Sequence, residues 1–151
     1  MNTRPWENLY VHVPFCAGKC DYCAFYSEPD SSLADAWFEK LTEDAIRHAS
    51  GTLPLKTVYF GGGRPTLLPP DRLERLFSML EKHFRVAGDA EVSMECNPES
   101  LTPEKAKVMS GFVNRVSMGV QSFDEEKRRL IGRRGDVRKV EPALDMLRNA
   151  G

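Results

Sequence analysis

Short apolar runs alternate with longer stretches in which apolar positions recur at helical spacing. Residues 9–13 (LYVHV), 57–60 (TVYF), 91–96 (EVSMEC) and 115–120 (RVSMGV) are rich in β-branched, aromatic and other apolar residues and read as strands. Between them lie helical patterns. Ser31 and Ser32 offer N-caps for a helix to about His48, with Trp37, Leu41 and Ala45 on one face. A second helix starts near Pro70 and carries Leu73, Leu76, Phe77, Leu80 and Phe84 as its apolar stripe. Thr102-Pro103-Glu104 joins an N-cap, a proline at the first helical position and an acid at the positive dipole end. Asp124 caps a short helix that Gly132 stops, and Val140, Ala143, Leu144 and Leu147 mark a last helix before Gly151.

Four strand–helix units in series predict an α/β fold with a parallel sheet, because parallel strands need crossover connections. A doubly wound sheet and part of a (βα) barrel both satisfy that pattern. Four units are too few for an eight-stranded barrel. Residues 1–151 are expected to form a single domain that is a fragment, or one module, of something larger.

Lys and Arg number 21 against 22 Asp and Glu, giving a formal net charge of -1, so no excess positive field marks a nucleic-acid binder. No apolar run approaches the ~20 residues of a membrane span. Residues 1–8 lack the apolar core of a secretory signal, and the expected location is the cytoplasm. Thiols stay reduced there, so clustered cysteines suggest a metal or catalytic site.

Three of the four cysteines, Cys16, Cys20 and Cys23, fall in the loop after the first strand. Three soft thiolates on one loop suit an iron–sulfur cluster with one iron left open, or zinc with one of His12, His48 and His83. Cys96 is a possible fourth ligand, or a small buried hydrophobe at a strand end. The other unusual residues gather at the same predicted rim. Gly61-Gly62-Gly63 follows the second strand and permits close backbone approach, either to a ligand or within a tight turn. The absence of G-K-[ST] excludes a P-loop. Glu95 closes the third strand and Gln121 the fourth, each a solvated strand end or a ligand to amine or hydroxyl groups. Arg133, beside Arg134, is a solvated surface residue or a carboxylate clamp.

Cys16-x3-Cys20-x2-Cys23 after a first strand resembles the signature of radical S-adenosylmethionine (SAM) proteins. The words LYVHVPFCAGKCDYCAFYS, VYFGGGRPTLL, VSMECNPESLT and VNRVSMGVQSFDEEKRRLIGR resemble, in this order, the anaerobic coproporphyrinogen III oxidase family and its HemW heme-chaperone branch. The resemblance implies a partial TIM-like barrel holding a [4Fe–4S] cluster on Cys16, Cys20 and Cys23, with SAM chelating the fourth iron. It places Tyr10 and Tyr22 beside the cofactor, and Gly62, Gly63 and Arg64 along its methionyl end. Glu95 and Gln121 would take the amine or ribose hydroxyls, and Arg133 would face the carboxylate. The family's chemistry is reductive cleavage of the sulfonium C–S bond, and no catalytic residue is singled out in this chain. Heme or a porphyrin and a reducing partner such as flavodoxin are the implied partners.

Three departures from the family pattern stand out. Phe25 occupies a position where the oxidase has a further cysteine, and eight residues precede strand one where the oxidase has a long segment. Both place the sequence nearer the chaperone branch. Arg64 stands where the family has threonine, and the Arg133 segment reads G-R-R-G-D instead of G-R-x-H. A coproporphyrinogen III oxidase and a structural zinc module remain as alternative readings.

Overall fold

The computed structural model describes residues 6–49 and 52–151, so the expectation made for residues 1–5 lies outside it. Among the described residues, β1 (Trp6–Val13), β2 (Thr52–Gly62), β3 (Val86–Cys96) and β4 (Arg115–Met118) form one sheet in the order β1-β2-β3-β4. Every pair is parallel, with Tyr10 opposite Tyr59, Tyr59 opposite Ser93, and Glu95 opposite Ser117. Sequential order with parallel pairing means that each crossover runs the same way. Right-handed crossovers then place the helices on one face of the sheet. This is barrel-type winding, and the doubly wound alternative drops out.

Alternation along the strands records that layering. Val11, Val13, Val58, Phe60, Val92, Met94 and Cys96 are buried beneath the helices. Their neighbours Tyr10, His12, Tyr59, Glu91 and Glu95 point to the opposite, more open face. The helices are α1 (Ala34–Ala49), α2 (Pro70–His83), α3 (Pro103–Ser110), α4 (Glu125–Leu130) and α5 (Val140–Ala150). Leu73, Leu76, Phe77 and Leu80 of α2 are buried as their spacing predicts. Phe60, Phe77 and Phe112 interlock, with centroids 5.5 Å apart for Phe60–Phe77 and 4.9 Å for Phe77–Phe112. Each such side chain contributes about 1.5–3 kcal/mol by leaving water.

The elements differ from expectation mainly at their ends. The strands β1, β2 and β3 start earlier than their apolar runs, and β4 stops at Met118 instead of Val120. Tertiary pairing extends strands through polar residues, and the β3–β4 ladder ends on the rung in which Gly119 N donates to Cys96 O at 2.8 Å. Ser31 and Ser32 do not cap α1 directly. They lie in a 3-10 turn capped by Asp30, whose carboxylate accepts from Ser32 N at 2.8 Å. Thr102 and Asp124 cap α3 and α4 as expected.

Candidate functional site

The C-terminal ends of all four parallel strands open on one side, where sites gather in such folds. After β1 the chain enters the cysteine loop. A bridge between Phe15 and Glu28 closes its base, with Cys16 N donating to Glu28 O at 3.1 Å and Glu28 N to Pro14 O at 2.8 Å. Phe15 anchors the loop edge-on against Trp37 of α1, centroids 5.7 Å apart. The far side is tied to the end of α4, where Asp21 N donates to Ile131 O at 3.2 Å. Within the loop Cys23 N donates to Cys20 O at 3.0 Å, a turn that keeps the second and third cysteines together. All four cysteines are free; Cys20 and Cys96 are buried, Cys16 and Cys23 half-buried. Among the described residues, no three His, Cys, Asp or Glu side chains already surround one ion-sized point.

The glycine run passes against this loop. Gly63 N donates to Val13 O at 2.8 Å and Arg64 N to Phe15 O at 2.7 Å. A Cβ on Gly63 would stand 2.5 Å from Phe15 O, so the close approach belongs to the chain's own backbone. Gly62 has φ 113°, a conformation L side chains avoid, and a Cβ there would meet the His12 ring. Beyond Gly61, Glu95 accepts from Tyr59 Oη at 3.0 Å and from Gly62 N at 3.3 Å, which fixes its carboxylate at the strand end.

Tyr10 stacks on Tyr59 with centroids 6.1 Å apart, and its hydroxyl meets His12 Nδ1 at 3.1 Å. His12 Nε2 faces the Tyr26 carbonyl at 3.1 Å and so must donate; Nδ1 of the neutral ring then accepts from Tyr10. Partial burial, then the Glu95 charge, raise the Tyr10 pKa. Burial, then the neighbouring Cys20, raise that of Tyr22. Both phenols are neutral donors at physiological pH.

A cavity of about 400 Å³ lies between these parts. Cys16, Cys20, Cys23 and Tyr22 line one side; Gly62, Gly63, Arg64, Glu95, Gln121 and Arg133 line the other. The sequence-predicted site residues thus come together, except that Tyr10 sits beside the cavity over Gly61 and does not line it. Arg133 is 7% exposed, which corrects the solvated reading, whereas Arg134 is exposed. Gln121 has φ 72°, the one left-handed residue other than glycine among those described.

Sequence reasoning missed the support beneath. Arg128 is 2% exposed and donates to the carbonyls of Val120, Ser122 and Gly135. It thereby pins both sides of strained Gln121. Glu99 lies 3.6 Å from Arg128 and 3.7 Å from Arg133. The Asn97 amide oxygen, oriented by its hydrogen bonds, accepts from Arg133 and Arg64. In sequence, K-R-R-L and N-P-E-S carry no sign of burial, since the partners are remote in the chain.

Sulfurs on one wall face a carboxylate, an amide and guanidiniums on the other. That donor set fits an iron–sulfur cluster next to a ligand bearing both ammonium and carboxylate groups. Singly wound β/α units with three cysteines after the first strand define the class. The profile described as Radical SAM superfamily matches residues 10–151, and the chain belongs to that superfamily. It is 34% identical over 143 residues to the heme chaperone HemW of Synechocystis sp., covering 89% of this chain and 35% of the relative. It is 33% identical to HemW of Bacillus subtilis, covering 96% and 40%, and 34% identical to the oxygen-independent coproporphyrinogen III oxidase of Bradyrhizobium diazoefficiens, covering 95% and 33%. The chain therefore spans roughly a third to two fifths of the curated relatives it matches. Among solved structures, coproporphyrinogen III oxidase (HemN) from Escherichia coli superposes with a TM-score of 0.87 at 31% identity, covering 98% of this chain and 35% of that one. Native anSMEcpe with bound AdoMet shares the fold, with a TM-score of 0.65 at 20% identity, covering 95% and 41%. Among the described residues, no helix is long and apolar enough to cross a membrane.

Proposed function

We propose that residues 1–151 form the N-terminal part of a radical SAM core in a HemW-like protein that handles heme or a porphyrin. Cys16, Cys20 and Cys23 would hold three irons of a [4Fe–4S] cluster, and the cavity wall opposite would hold SAM. The single observation carrying this reading is that one cavity joins the three-cysteine loop to Glu95, Gln121 and Arg133. Glu95 and Gln121 offer acceptors for the amine or ribose hydroxyls, and Arg133 a donor fork for the carboxylate. When bound, the cluster and SAM supply one-electron reductive chemistry. This chain's residues orient the ligand and exclude water from it.

Similarity to named heme chaperones supports heme or porphyrin as the partner. Phe25, exposed on the cysteine loop where the resemblance gives the oxidase another cysteine, favours the chaperone branch over coproporphyrinogen oxidation. A cytoplasmic setting would keep these thiols reduced, and the family resemblance implies a flavodoxin-type reductant. The test is anaerobic reconstitution with iron and sulfide, followed by EPR of the reduced protein. A [4Fe–4S]⁺ signal that changes on adding SAM is expected. Stoichiometric zinc without a cluster would instead establish the structural-module reading. Heme titration of the reconstituted protein then tests the chaperone assignment against coproporphyrinogen turnover.

A further inference from the structure

Arg64 stands where the family resemblance expects threonine, and its surroundings give that exchange a role. It follows β2, is 9% exposed, and lines the same cavity as Arg133. Asn97 Oδ1 accepts from Arg133 Nη1 at 2.8 Å, from Arg133 Nη2 at 2.9 Å and from Arg64 Nε at 3.2 Å. Two guanidiniums thus share one uncharged oxygen. A third, Arg128, lies behind them, joined to the group through Glu99. Glu99 stands beyond hydrogen-bond reach of both its arginines, and neither of its oxygens receives a donor. Three buried positive charges therefore face one buried negative charge. Glu95 lines the same cavity as a second carboxylate, its oxygens accepting from Tyr59 and Gly62, so three guanidiniums against two carboxylates leave an excess of one positive charge. Buried charge without a counterion is costly, so an anion belongs in this cavity. Arg133 Nε has no partner, and the Arg64 fork spends only a 3.5 Å contact on Gly18 O.

We propose that Arg64 and Arg133, bridged by Asn97, form a two-guanidinium site for a single carboxylate. The inference rests on the proposed function, which makes that carboxylate the methionyl carboxylate of SAM. Arg64 then determines specificity and is no spacer. The Arg64 fork, engaged only by Gly18 O, gives charge and direction that threonine lacks, while Arg133, whose Nη atoms already donate to Asn97 and Gly119 O, adds charge and its unpartnered Nε. Glu99 and Arg128 are positioning residues that hold Arg133 and the Gln121 turn from beneath.

The test is a double-mutant cycle between protein and ligand. Affinities of the reconstituted chain for SAM and for decarboxylated SAM (S-adenosylmethioninamine) are measured by equilibrium dialysis, for the unaltered chain, Arg64→Gln and Arg64→Lys. Arg64→Gln is expected to weaken SAM binding about tenfold, leaving decarboxylated SAM within about twofold. Arg64→Lys, which keeps the charge and loses the fork, is expected to fall between, and it carries the test if Arg64→Gln does not fold. Equal losses for both ligands, or no loss for either, would overturn the role of Arg64 and leave the SAM reading standing. Failure of the unaltered reconstituted chain to bind SAM would overturn both.

Discussion

Among single residues, Cys96 shows how burial decides chemistry. Its position at the end of β3 allows two readings, metal ligand or small hydrophobe. It is 1% exposed, and burial pushes its thiol from 9.0 up to about 11, with Glu99 adding to the rise. It packs in the core with Val92 and Met94, which is the small-hydrophobe role. The same shift has a stability consequence. A group whose folded value is raised favours the folded state fully below its unfolded value, and that contribution disappears as pH rises through the folded value. The window therefore runs from about pH 9 to about 11, and two units correspond to about 2–3 kcal/mol. Urea denaturation of the unaltered chain and of Cys96→Ala should show a stability gap at pH 8 that shrinks by up to about that amount at pH 10.5. A gap that stays constant would mean the folded thiol ionises freely.

At the level of elements, the connection from β2 to α2 separates a ligand-driven glycine from a chain-driven one. The G-G-G run is legible in sequence as a place of close approach, but sequence cannot say what approaches. The carbonyls of Pro14 and Phe15 do, at 2.6 and 2.5 Å from a Cβ built on Gly63. Both come from the segment that closes the cysteine loop, so this contact fixes the loop against the end of β2. Gly63→Ala must push apart the exits of β1 and β2, an overpacking cost of about 1–3 kcal/mol. Gly88 in β3 is the control, because a Cβ there meets nothing within 4 Å. Gly88→Ala should be neutral or stabilising by up to about 1 kcal/mol, through the lost freedom of the unfolded chain. Chemical denaturation of both variants checks the pair, and equal effects would sink the steric argument. Helix positions were legible for a different reason. Apolar spacing and caps such as Thr102 are local signals, whereas the reach of β2 and β3 through polar residues is set by pairing with neighbours.

Over the whole molecule, the order of units was legible because four alternations of strand and helix leave few topologies, and the cysteines mark the strand ends that matter. The floor of the cavity was not. Whether an arginine is solvated or buried depends on Glu99, Asn97 and the carbonyls around Gln121, which meet only once the sheet has formed. That assembly makes the site a junction of separate loops held by individual backbone bonds. Arg64 N reaches Phe15 O, Asp21 N reaches Ile131 O, and Gly119 N reaches Cys96 O. A ligand touching all these walls stabilises every loop that must open for exchange, while the helical layer, packed on the far side of the sheet, is left alone. Hydrogen exchange of the reconstituted chain should therefore slow on adding SAM at the amides of residues 14–28, 61–66 and 119–134 together. The amides of α2 and α3 should exchange at unchanged rates. Protection confined to residues 14–28 would mean that the ligand meets the cysteine loop alone, and that the opposite wall with Glu95, Gln121 and Arg133 takes no part in binding it.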